Sequence, residues 1–104
     1  MIKVSFLKKG GNFIGFELSG HSGYAEEGSD IVCSAVSSVA YMVANTVTEI
    51  VGVTANVTLD DGYMKFIPDE ASDYVQILFK GMALHFNALA QQYGQYLCCK
   101  ETTV

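Results

Sequence analysis

Apolar and polar positions alternate from the start of the chain. Ile2, Val4 and Phe6 interleave with Lys3 and Ser5, the period of a half-buried strand. Gly10-Gly11-Asn12 interrupts the pattern as a turn. Alternation resumes over 13–19, with Phe13, Gly15, Glu17 and Ser19 on one face and Ile14, Phe16 and Leu18 on the other. These two strands predict a hairpin whose second strand delivers His21 to the end of a sheet. From 30 to 51 the period changes to three and four, through Val32, Val36, Val39, Val43, Val47 and Ile50, which predicts a helix. Many of these residues are β-branched and lower intrinsic helix propensity, so tertiary packing must stabilise it. Ser29 or Asp30 is the expected N-cap and Gly52 the expected stop. If Asp30 caps, Cys33 is the third helical residue.

Residues 54–59 and 63–67 flank Asp60-Asp61-Gly62, a second hairpin signal that Pro68 ends. A second helix is predicted over 69–93, with Val75, Leu78, Phe79, Met82, Phe86, Leu89 and Tyr93 as its stripe and Gly94 as its end. A short last strand is predicted over 96–99. The order β-β-α-β-β-α-β predicts an α+β fold, two hairpins forming one mainly antiparallel sheet with two long helices packed on it, as a single domain over 1–104. Tyr41, Ala44, Ile77, Leu84 and Ala88 lie off the main stripes and suggest a homodimer through a helical face.

Composition narrows the function classes. The 104 residues are half apolar with a single proline, a globular rather than disordered balance. The longest uninterrupted apolar run is far short of the roughly 18 residues of a membrane span. The N-terminus has neither the apolar block nor the small-residue cleavage site of a signal peptide, so a cytoplasmic location and no membrane partner are expected. Three cysteines, two of them adjacent (Cys98 and Cys99), make a poor disulfide framework. The net charge is −5, and the six basic residues are all lysines. Without arginine, direct nucleic-acid binding is disfavoured, whereas an acidic surface attracts a basic partner.

The chemistry is concentrated in Gly20-His21-Ser22-Gly23-Tyr24-Ala25-Glu26-Glu27-Gly28-Ser29-Asp30-Ile31-Val32-Cys33. A cysteine in a helix's first turn meets unpaired backbone N–H groups and the positive end of the macrodipole, which favour its thiolate. A histidine on the preceding strand end can serve as its base, and a thiol–imidazole pair is the minimum apparatus for acyl transfer. The backbone N–H groups of Ile31, Val32, Cys33 and Ser34 are candidate oxyanion donors, each typically contributing about 3 kcal/mol to the barrier. Asp30 can cap the helix, orient His21, or do both. The loop residues Gly20, Ser22, Gly23, Tyr24, Glu26, Glu27 and Gly28 are a candidate substrate loop, and Glu26 and Glu27 would draw a basic peptide. Blander readings exist for each residue. Cys33 serves equally well as a small buried hydrophobe, His21 as a backbone-bonded loop residue, and the glycines as surface turns. A zinc site from Cys98, Cys99, His21 and Cys33 matches no usual spacing, and no metal or organic cofactor is expected.

The segment Gly20-His21-Ser22-Gly23-Tyr24-Ala25-x-x-Gly28-x-Asp30-Ile31-Val32-Cys33-Ser34-Ala35-Val36-Ser37 resembles the signature of the bacterial ribosomal-processing cysteine protease (Prp) family. The resemblance implies Cys33 as nucleophile, His21 as base and Asp30 as a helper. It also implies a homodimer and, as substrate, a large-subunit ribosomal protein losing a short apolar N-terminal extension by cleavage after Phe-Phe. The contrasting expectation is a non-catalytic ribosome-associated binding module in which Cys33 is structural.

Overall fold

A computed structural model describes residues 1–21 and 30–104. The strands β1 (Ile2–Lys9) and β2 (Asn12–Ser19) form the first hairpin, closed by Gly10 and Gly11 with φ of 59° and 84°. Helix α1 (Ile31–Asn45) follows and continues as a π-helical segment, Thr46–Val51. The second hairpin is β3 (Ala55–Asp60) and β4 (Tyr63–Pro68), then come helix α2 (Asp73–Gln92) and β5 (Leu97–Thr103). The sheet order is β3-β4-β2-β1-β5, antiparallel throughout except where β5 runs parallel to β1. The expected α+β architecture holds.

One sheet face carries the core. Ile2, Val4, Phe6, Phe16, Leu18, Met64, Phe66 and Leu97 meet Val32, Val36, Val43 and Val47 of the first helical stretch and Val75, Phe79, Met82 and Phe86 of α2. Phe79 is fully buried, its ring edge-on to Phe16 at 5.9 Å, Phe66 at 6.4 Å and Phe13 at 6.5 Å, while Phe16 stacks on Phe66 across β2 and β4 at 5.4 Å. Such rings remove large apolar areas from water and add pair geometry worth about 1 kcal/mol each. The other face carries Lys3, Ser5, Glu17, Lys65 and Lys100 in neighbouring register.

Strict alternation assigned Phe13 to the face away from Phe16, and the structure corrects this. Leu7 pairs with Gly15 but Lys8 pairs with Phe13, which makes Ile14 the extra residue of a β-bulge. The bulge shifts parity by one, so Phe13 joins the core and touches Phe6 at 5.7 Å. Gln76 of α2 holds the distortion in place. Its buried amide accepts from the Phe13 N–H (2.8 Å) and donates to the Phe13 carbonyl (2.6 Å), completing the main-chain bonding that the ladder does not supply.

Three element boundaries also differ from expectation. The first helix loses its α-pitch at Thr46, where the Thr46 and Thr48 hydroxyls donate to the carbonyls of Met42 and Ala44 and compete with the helical N–H groups. The segment ends, as expected, at Gly52 in the left-handed region. Helix α2 starts at Asp73 rather than 69 because Ser72 supplies the cap to Val75 N–H. Strand β5 runs on to Thr103 because β1 offers it a partner along its full length. The 21 residues from Ile31 to Val51 are apolar and long enough to cross a bilayer by length and composition, a property that a core helix shares; their inner stripe lies against the sheet.

Replacing Gln76 by Leu keeps the volume but orphans a buried N–H and a buried carbonyl. Urea unfolding should show a loss of roughly 2–4 kcal/mol, and a loss below about 1 kcal/mol would mean that water satisfies the bulge instead.

Candidate active site

The cleft sits where the end of β2, the turn of the second hairpin and the start of α1 converge. Its volume is about 200 Å³. Ile2, Leu18, Val36 and Met64 give it an apolar floor, and Asp60, Gly62 and Tyr63 form one wall. The opposite wall is a stripe of α1, Cys33, Ser37 and Tyr41, spaced four residues apart and therefore on one face of the helix. His21 stands at the mouth, exposed, and Cys33 is half-buried. The cleft thus brings His21 and Cys33 to one site across the eleven residues that lie between them in the chain.

Local geometry explains the placement of His21. Gly20 leaves β2 with φ of 90°, and a Cβ there would lie 2.4 Å from the Met1 carbonyl oxygen. Only glycine meets both demands. The Gly20 N–H donates to the Gly62 carbonyl at 2.9 Å, which ties the strand end to the second hairpin's turn. Tyr63, next along the turn, donates its hydroxyl to Glu17 on the outer face of the sheet at 2.5 Å; that bond to a carboxylate, with burial a lesser cause, pushes the phenol above its usual range.

Cys33 is the third residue of α1, as expected from an Asp30 cap. The buried Asp30 carboxylate accepts from both Val32 N–H and Cys33 N–H at 3.0 Å, and the Asp30 carbonyl accepts from Ser34 N–H at 3.1 Å. This corrects the oxyanion expectation for Val32, Cys33 and Ser34, since those donors already serve Asp30. It also changes the electrostatic reading. A carboxylate capping the helix takes up the positive end that would otherwise face the thiolate. Of the remaining candidates, Gly20 lines the cleft and Ile31 opens α1. Ser22, Gly23, Tyr24, Glu26, Glu27 and Gly28 lie outside the described residues.

The other thiols are placed differently. Cys99 is half-buried, its sulfur facing the Phe86 carbonyl at 3.6 Å, and burial, then the neighbouring Cys98, pushes it up to about 11. It is a protonated thiol near neutrality, ill suited to redox exchange. Among the described residues no group of three or more His, Cys, Asp or Glu side chains is placed to hold a metal ion. Ser37, Tyr41 and Gly62 were not foreseen as site residues. The first two were legible as positions four and eight beyond Cys33; Gly62 was not, because only the sheet register brings it to His21.

The fold and the cleft together define a small α+β protein with a thiol and an imidazole facing one apolar groove. The sequence profile of the cysteine protease Prp family matches residues 1–98, and the chain belongs to that family of cysteine proteases. It is similar to the ribosomal processing cysteine protease Prp of Bacillus subtilis, with 30% identity over 91 residues that cover 81% of each chain. Among solved structures it resembles the Prp protease of Staphylococcus aureus in complex with a covalently linked product peptide, with a TM-score of 0.92 and 21% identity over 98% of this chain and all of that one. A Streptococcus mutans protein of known structure aligns with a TM-score of 0.85 and 30% identity over all of this chain and 96% of the other.

The cap makes a separable prediction. Asp30→Ala should lose about 1 kcal/mol or somewhat more in denaturant unfolding, while Asp30→Asn, which can still accept both N–H groups, should recover most of that loss. Equal losses in the two variants would show that the charge rather than the cap supports the helix start.

Proposed function

We propose that this chain is a cysteine endopeptidase that removes a short apolar N-terminal extension from a large-subunit ribosomal protein, cutting after Phe-Phe, in the cytoplasm. The observation that carries the reading is the shared cleft: His21 and Cys33 face one apolar groove in a chain of the Prp cysteine protease family. The substrate class is supported by the name of the Bacillus subtilis relative, a ribosomal processing protease, and by the peptide bound covalently in the Staphylococcus aureus structure. The net charge of −5 suits a basic substrate protein.

In this mechanism His21 takes the thiol proton of Cys33 and the thiolate attacks the scissile carbonyl carbon. The resulting imidazolium then protonates the leaving amine, and the new N-terminus departs with the mature protein. Water, deprotonated by the same imidazole, hydrolyses the thioester and returns the thiol. The floor of Ile2, Leu18 and Met64 receives an apolar side chain next to the scissile bond. Asp30 contributes by fixing the first turn of α1, and with it the sulfur.

The protease acts as a homodimer in this reading. Met42, Ile77 and Leu84 are exposed on the helical side, and Val39, Met42, Ile77, Gly81 and His85 line an apolar groove of about 350 Å³ between α1 and α2. Large exposed apolar patches mark interaction surfaces, and a two-fold pairing buries the same patch twice. Sedimentation at micromolar concentration should give a dimer mass that Ile77→Lys with Leu84→Lys reduces to a monomer; a monomeric wild type ends the dimer proposal.

The proteolytic claim is tested with a peptide that spans an apolar segment ending in Phe-Phe. Cleavage should be lost by at least about 10³-fold in Cys33→Ala and His21→Ala. Iodoacetamide should label Cys33 rapidly near neutrality in the wild type and more slowly in His21→Ala. Slow labelling that ignores His21, with no cleavage by the wild type, favours a binding module with a structural cysteine.

A further inference from the structure

Gly62 lies at the second position of the two-residue turn between β3 and β4, far from His21 in the chain, yet it is the imidazole's immediate neighbour. Its φ is 65°. A Cβ built on it would lie 2.9 Å from His21 Nε2, 3.4 Å from Cε1 and 3.5 Å from Cδ2. Nε2 is the nearest ring atom and the two carbons bonded to it come next, so the Nε2 end of the imidazole lies against the space a side chain would fill. The same residue's carbonyl accepts the Gly20 N–H at 2.9 Å, so one turn residue meets both the backbone just before His21 and the ring itself.

We propose that Gly62 is a positioning residue for His21: the missing side chain leaves the ring the space in which it faces the cleft, and the carbonyl anchors the strand end that carries it. This deepens the endopeptidase reading and rests on His21 being the base. Two features separate the role from ordinary turn chemistry. A left-handed turn position explains the need for a positive φ, but not the contact with the imidazole. The close neighbour is also the far end of an exposed side chain rather than backbone. A methyl group at position 62 is therefore accommodated by swinging the imidazole aside, at small cost to the fold and large cost to its alignment with Cys33.

The molecule contains its own control. Gly10, in the other hairpin's turn, has φ of 59° and nothing within 4 Å of a Cβ. Gly62→Ala and Gly10→Ala impose nearly the same backbone strain, but only the first displaces the imidazole. The experiment compares both variants with His21→Ala in melting temperature, kcat on the Phe-Phe peptide, the pH profile of Cys33 alkylation, and the His21 ring-proton NMR shift. Similar melting temperatures are expected for the two glycine variants. Gly10→Ala should keep wild-type kcat, whereas Gly62→Ala should lose on the order of 10- to 100-fold, move its alkylation profile toward that of His21→Ala and shift the ring resonance. The pair Gly62→Asn and Gly10→Asn repeats the comparison with a residue that tolerates the left-handed region, should Ala at 62 prevent folding. If Gly62 variants match their Gly10 counterparts in kcat and alkylation while His21→Ala is inactive, this inference falls and the protease reading stands. A fully active His21→Ala removes the base and this inference together.

Discussion

The ring of Phe79, planted edge-on against Phe13, Phe16 and Phe66, is the contact that seats α2 on the sheet, and the valines of α1 complete the same core. Neither helix stabilises itself in isolation. The first is rich in valine and threonine, and its pitch changes where threonine hydroxyls claim helical carbonyls. Both depend on an aromatic sheet face, and that face is complete only because a bulge at Ile14 turns Phe13 inward. Once the helices are seated, the N-terminus of α1 stands beside the end of β2, and the cleft follows from that juxtaposition.

The site's electrostatics are less generous to the sulfur than a bare helix terminus would be. Asp30 holds the amides of Val32 and Cys33, which secures the first turn but adds a carboxylate where the helix is most positive. The cap thereby fixes the place of the sulfur and uses the amides beside it. In the proposed mechanism the imidazole is the sulfur's partner, and the ring's orientation is what the second hairpin would set. The bond from Gly20 N–H to the Gly62 carbonyl and the bare Cα of Gly62 are the two constraints the second hairpin applies to it.

Much of this was legible from residue order. The change of period from two to four at residue 30, the turn at Asp61-Gly62 and the polar cap before Cys33 each follow from local rules. Two of the readings that failed share a cause. The face of Phe13 and the reach of β5 depend on a partner distant in the chain, Gln76 for the bulge and β1 for the last strand, whereas the start of α2 is set locally by the Ser72 cap. For Val32, Cys33 and Ser34 the oxyanion expectation gives way to the cap, because a cap and an anion site compete for the same N–H groups, and the sequence contains no sign of which occupant takes them.

By itself the sequence determined the element types, the position of Cys33 in the first turn of a helix, and the family signature from Gly20 to Ser37, because each is set by neighbours within a few residues. Only the tertiary structure decided that His21 and Cys33 share a cleft, that its floor is Ile2, Leu18 and Met64, and that Gly62 lies against the imidazole. The physical reason is register: which residues of separate strands lie side by side is settled by the packing of whole faces, a property that belongs to no single segment.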